Sequence, residues 1–200
     1  MGLKDIKYSQ DCWVFYGSCD WSIDSAYDFI ESAGRIFEMF GTKATHYGFS
    51  ETPYDTIKGA HIGSARNVIK KTDTVYQKDA ELTSLEFFLL PKEWNVSYAD
   101  NSIYLARYRE YIAISYDMDL FPNVDLSSVF AEMKKNIIPI WGEHFQIQKR
   151  EMAVAYINST QGYPIDPARI NKDQMVHDQY VYIFDNPDRL AHIIEQFECE

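Results

Sequence analysis

Residues Cys12–Phe40, CWVFYGSCDWSIDSAYDFIESAGRIFEMF, change their hydrophobic period once, and the place of that change decides the fold. Cys12–Tyr16 is a run of aromatic and β-branched side chains, which reads as a strand. From Ala26 the apolar positions Ala26, Phe29, Ile30, Ala33, Ile36, Phe37 and Phe40 recur every three or four residues, the spacing of one buried helix face. Ser22 is placed to cap that helix, Asp24 and Asp28 sit near its positive end, and Gly41 is placed to close it. Residues 44–50, ATHYGFS, read as a second strand.

Outward from this unit the pattern continues. A turn-rich connection runs from Glu51 to about Gly63, with a short helix expected over Ser64–Lys71. Leu82–Leu90, Ile103–Arg107 and Tyr111–Tyr116 read as strands of an antiparallel meander. A second main helix carries Leu126, Val129, Phe130, Met133 and Ile137 on one face, with Asp125 as its cap and Pro139 as its stop. One long or two short strands fall between Phe145 and Asn158, and a strand over Tyr180–Phe184 precedes a third helix. That helix is signalled by Asn186–Pro187 and carries Leu190, Ala191, Ile194 and Phe197. The intervening TQGYPIDPARINKD is a loop too short for a free linker. The expected class is α+β: one or more mixed or antiparallel sheets with about three main helices, in one compact domain over residues 1–200. The units at 12–50 and 111–150 align at an offset of 101, matching Asp24 with Asp125, Phe29 with Phe130, Glu31 with Glu132 and Gly41 with Gly142. This raises a duplication of two strand-helix-strand halves, 1–100 and 101–200.

Composition narrows the function classes. The chain has 200 residues, 46% of them hydrophobic, enough for a sizeable core without disulfide staples. No stretch approaches the ~18 consecutive apolar residues of a membrane-spanning helix. The N-terminal MGLKDIKYSQD offers no apolar secretion segment, and Ile6 stands where myristoylation favours Ser or Thr, so a cytoplasmic location is expected. Cysteines 12, 19 and 199 show no CxxC spacing, which disfavours a zinc knuckle or disulfide framework. With 30 acidic and 19 basic residues the formal charge is −11. That sign opposes binding to nucleic acid or an anionic membrane. The acids are spread along the chain and read first as a solvated surface, with a basic protein partner, drawn by the negative charge, as the alternative. Fifteen Tyr, 12 Phe and 4 Trp supply side chains suited both to a core and to an interface.

Cys19 lies on a strand-to-helix turn, where a helix dipole can activate a thiol. Trp21 occupies the position at which a nucleophile elbow needs glycine, and Asp20 opposes a thiolate. Histidines 46, 61, 144, 177 and 192 show no metal-ligand spacing, and Glu143-His144 lacks the HExxH frame, so no metal or cofactor is expected. Gly59–Arg66, GAHIGSAR, has the glycines of a phosphate loop without the GK[ST] ending, and reads better as a loop capped by Ser64. Arg107, Arg109, Lys149 and Arg150 fall on expected strands and read as a solvated face. Two loops remain, GSCDWS after the first strand and DMDLFPN after Tyr116, each joining carboxylates to a large apolar side chain. If the halves pack side by side, Asp20, Trp21, Asp117, Asp119 and Phe121 form one acidic, aromatic partner-binding surface. The competing reading is that Trp21 and Phe121 staple helix entries to the core.

In the character of CWVFYGSCDWS, EFFLLPKEW and YVYIFDNPDRL, and in its acidity, the chain resembles bacterial immunity proteins of polymorphic toxin systems. The resemblance implies a non-enzymatic α+β inhibitor that neutralises a toxin or effector by direct binding. A phage-encoded inhibitor of a host defence protein would use the same surface physics, and a small hydrolase or transferase using Cys19 is the enzymatic alternative.

Overall fold

A computed structural model of the chain describes residues 8–52, 61–64, 70, 81–90, 102–148 and 175–179. The elements follow as β1 (Tyr8–Ser18), α1 (Ile23–Met39), β2 (His46–Thr52), β3 (His61–Ser64), β4 (Glu81–Leu89), β5 (Ile103–Tyr108), β6 (Tyr111–Asp117), α2 (Leu126–Met133), a 3-10 turn (Lys134–Asn136), β7 (Ile138–Gln148) and β8 (Met175–Gln179). The strands form a single sheet in the order β3-β2-β4-β5-β6-β1-β7-β8. Every neighbouring pair in it is antiparallel. The class is therefore α+β. α1 and α2 answer two of the three helices expected, while the third, from Asn186, and the strand at 180–184 lie outside the described residues. So does the loop at 160–173, and of the short helix expected over Ser64–Lys71 only Ser64, which ends β3, and Lys70 are described.

Local chemistry explains the helix bounds. Ser22 caps α1 by accepting from the Ser25 backbone N–H, and Asp125 caps α2 by accepting from Ser127 and Ser128. Gly41, at φ 70°, supplies the left-handed residue that ends the first helix. α1 then buries Ala26, Phe29, Ala33, Ile36 and Phe37 against one face of the sheet. There they meet Phe15, Leu85, Phe87, Leu105, Ile112 and Ile114, with Val129 and Met133 of α2 joining the same core. Full burial of each of the larger side chains, Phe, Leu, Ile, Val or Met, contributes about 1.5–3 kcal/mol. The opposite face of the sheet is buried as well, around Phe88, Leu90, Tyr104 and Ala106.

Three readings change. His61–Ser64, within the glycine loop considered for phosphate, is an edge strand whose backbone pairs with His46–Phe49 of β2. Pro139 does not stop a continuous second helix: α2 ends at Met133, a 3-10 turn follows, and Pro139 lies inside β7 beside a register shift opposite Gly17. The two strand-helix-strand units differ in strand order. From β1 the chain crosses three strands to reach β2, but from β6 it crosses only β1 to reach β7. Their matched residues differ too, since Asp125 is a cap while Asp24 lies inside the first turn of α1, and Gly142 is a strand residue.

β1 and β7 approach closely at Gly17. A Cβ built there would stand 2.0 Å from the Ile138 carbonyl oxygen, a backbone atom that cannot swing aside. Gly17→Ala is expected to cost about 3 kcal/mol and to lower the melting temperature by roughly 6–12 °C. Ser18→Ala, at an exposed position, serves as the control with little change. Equal melting of Gly17→Ala and the parent in calorimetry would refute this close approach.

Candidate functional site

The turn between β1 and α1 is built around a buried cation. Arg107 of β5 is 0% exposed, although its sequence reading placed it on a solvated face. One amino group donates to the Ser25 carbonyl at 2.7 Å and the other to Ser25 Oγ at 2.8 Å. The guanidinium also lies over the rings of Trp21 and Phe29, at 5.0 and 5.5 Å from their centroids. Cation–π contact and hydrogen bonds to neutral oxygens compensate its lost hydration. Trp21 is thus the partly buried lid of this box, packed against the core.

Asp20 stays exposed and orders the turn: Oδ1 accepts from the Ser22 backbone N–H at 2.9 Å and Oδ2 from Ser22 Oγ at 2.7 Å. These bonds, the backbone one foremost, hold its carboxyl below the usual range. Together with Asp24 and Asp28 it lines one wall of an open cleft of about 650 Å³, whose other wall includes Lys134, Lys135 and Ile138. Ile138 is 74% exposed there. Cys19 also lines this cleft, but burial pushes its thiol up to about 11, and Arg107 offsets that only in part.

The second loop lies elsewhere. β1 and β6 are antiparallel, with Gln10 beside Asp117 and Tyr16 beside Tyr111, so the segments leaving their C-terminal ends emerge at opposite ends of the sheet. Six residues of strand put them roughly 20 Å apart. Asp20 and Trp21 therefore do not share a surface with Asp117, Asp119 and Phe121. Asp117 is 2% exposed and accepts from the backbone N–H groups of Asp119 and Leu120, shaping the turn. Asp119 is exposed, while Phe121 packs edge-on against Phe40 at 5.3 Å. Both large apolar residues brace the core, as the stapling alternative has it.

Two polar clusters went unread in the sequence. Asp11 in β1 holds His144 of β7 at 2.6 Å through Nε2, and also accepts from Trp13 Nε1, Tyr116 OH and Gln146 Nε2. The imidazole stacks on the Trp13 indole, with centroids 4.0 Å apart. Burial would raise the Asp11 carboxyl, but the bonds from His144, Trp13 and Tyr116 bring it below the ordinary value. The carboxylate orients the imidazole as in an acid–base pair, while its four donors make it a brace across β6, β1 and β7.

The second cluster joins α1 to α2. Glu132, 5% exposed in its side chain, accepts from Ser32 and Arg35 on one oxygen and from Lys135 on the other. Asn136 completes it by donating to Ser32 Oγ at 2.9 Å. Burial would lift the Glu132 carboxyl; Lys135, Arg35 and Ser32 outweigh that and hold it at about 2. Among the described residues no group of three or more His, Cys, Asp or Glu could hold a metal ion.

Two measurements follow from these environments. At pH 7 a thiol near 11 is ionised in about one molecule in ten thousand, so Cys19 should react with iodoacetamide on the order of a hundredfold more slowly than a peptide cysteine, read by mass mapping. Rapid labelling at pH 6 would instead support the cysteine-enzyme reading. Because the Glu132 carboxyl is depressed on folding, its contribution is complete above about pH 4.5 and disappears as pH falls toward 2. Discounted for the exposure of Arg35 and Lys135, it is ~1–2 kcal/mol. Urea denaturation at pH 5.5 and 2.5 should show the parent losing that much more than Glu132→Gln; equal losses would remove the assignment.

Compared with protein-family models, with curated proteins and with solved structures, the chain matches none.

Proposed function

We propose that the chain is a protein-binding inhibitor of the immunity type, which neutralises a basic toxin or effector by presenting the acidic wall of the α1 cleft. The observation that carries this reading is the row of Asp20, Asp24 and Asp28 along one open cleft, beside the exposed Ile138. The row is rigidly based, since Arg107 clamps Trp21 and Ser25 beneath it and the helix begins at a side-chain cap. A preorganised acidic surface with an apolar contact at its edge steers a cationic protein and limits the ordering cost of docking. The formal charge of −11 adds to the same long-range attraction.

The test is co-expression and titration with the toxin or effector encoded beside this chain in its native genome. Neutralising Asp20, Asp24 and Asp28 together to Asn should lower association rate and affinity about 10- to 100-fold and flatten the salt dependence. Asp119→Asn, at the far end of the sheet, should leave both unchanged. Protection and affinity that survive the triple variant would move the interface elsewhere; absence of any complex or protection would end the inhibitor reading.

A further inference from the structure

The wall of the α1 cleft opposite the acids holds a rigid acceptor that the fold leaves unused. Asn136, in the 3-10 turn, lines the cleft although it is only 7% exposed. Its Nδ2 donates to Ser32 Oγ at 2.9 Å and to the Glu132 backbone carbonyl at 3.2 Å. A carbonyl only accepts, and the Ser32 hydroxyl proton is given to Glu132 Oε1, so these two contacts identify the nitrogen and hence the oxygen of the amide. With the nitrogen turned into the brace between the helices, Oδ1 is directed away from it and makes none of the hydrogen bonds of this side chain. A nine-tenths buried amide held in place with its acceptor unused is an incomplete contact.

Ser32 locates that oxygen against the acids. Asp24, Asp28 and Ser32 stand at i, i+4 and i+8 of α1, on one face of the helix. Because Asn136 is bonded to Ser32, Asp28 lies one turn, roughly 5–6 Å, from the point of that contact. Asp28 is exposed and lines the same open cavity of about 650 Å³. A carboxylate and an amide oxygen so spaced call for one positive group with several N–H donors. An ammonium directs its bonds from a single nitrogen, which brings two acceptors to within about 5 Å of each other. A guanidinium carries donors on opposite edges of a plane and spans roughly 7 Å. Lys134, across from the acids, opposes a second cation, and Ile138, 74% exposed, offers an apolar contact beside the first.

We propose that this end of the cleft receives a single arginine side chain of the protein partner, its guanidinium donating to the Asp28 carboxylate and to Asn136 Oδ1. The inference rests on the inhibitor reading for the source of the arginine, and it reduces the row of acids to one anchoring position. Asp24 stands a further turn from Asn136, and Asp20 is engaged by Ser22, so both serve attraction rather than anchoring.

The test is NMR titration of the free full chain with acetyl-arginine amide, acetyl-lysine amide and acetyl-citrulline amide, the last having the shape of arginine without its charge. The arginine probe should saturate with a dissociation constant on the order of 1 mM, the lysine probe should bind at least about fivefold more weakly, and citrulline should not bind. The side-chain amide resonances of Asn136 should move with the arginine probe, a response that simple attraction to the acidic wall would not produce. Asp28→Asn, at an exposed position, should weaken the arginine probe about tenfold, whereas Asp119→Asn should leave it unchanged. Equal binding of the arginine and lysine probes, unmoved Asn136 resonances, or equal binding by Asp28→Asn and the parent overturns the proposal. No partner enters this titration, so its failure in a chain that still protects against its toxin removes the arginine anchor alone. Saturable arginine binding by a chain that forms no complex keeps the guanidinium site and removes only the inhibitor reading.

Discussion

The structure depends on β1 being hydrogen-bonded along both edges. Residues 10–16 pair with β6 on one side, and nearly the whole strand pairs with β7 on the other. A strand so placed has no free edge, and here both of its faces are covered as well, with Cys12, Val14 and Phe15 all 0% exposed, which is why CWVFY is apolar almost without interruption. Phe15 and Trp13 face the helices, where both contact Phe130 of α2, while Cys12 and Val14 face the other way and are completely buried. The approach of β7 that completes this pairing is so close at Gly17 that only a residue without a side chain fits.

The charged groups inside the molecule are used to tie distant segments together. Asp11 links three adjacent strands, Glu132 links the two helices, and Arg107 links the middle of the sheet to the first turn of α1. Each of these buried charges is met by hydrogen bonds or aromatic faces, although the Arg107 Nε itself has no hydrogen-bond partner. The functional consequence is a division of labour among the acids. Those with several internal donors hold the fold, whereas Asp20, Asp24 and Asp28 project from a helix entry that the buried groups keep rigid.

Much of the fold was readable where local chemistry and burial agree. The bounds of α1 follow from Ser22, the 3.6-residue stripe and Gly41, and the start of α2 from Asp125, because caps act within a few residues. β3 was not readable, since His61–Ser64 is four residues long and contains a glycine, and only its pairing with β2 makes it a strand. The early start of β7 was hidden by Pro139, which reads as a stop unless the opposing Gly17 is known. The site was less legible still. Asp11 and His144 lie 133 positions apart, and nothing local marks them as partners. Arg107 carries the charge of a surface residue and is buried only because Trp21, Phe29 and Ser25 happen to enclose it. Whether the two acidic loops converge depended on the direction of β6 against β1, a property of strand pairing rather than of either loop.

The double-sided pairing of β1 also bears on how the chain is made. Its partners begin at residue 111 and end at residue 148. At ribosomal speeds of about 5–20 residues per second, the first apolar strand waits roughly 7–26 s in the emerging polypeptide before its last partner arrives. During that interval CWVFY is an unsatisfied, strongly β-prone segment, and contacts of such long sequence separation slow assembly further. Transient shielding by a chaperone, or by the early amphipathic helix that follows it, is therefore built into the demands of this topology, and overproduction would load that vulnerable stage first.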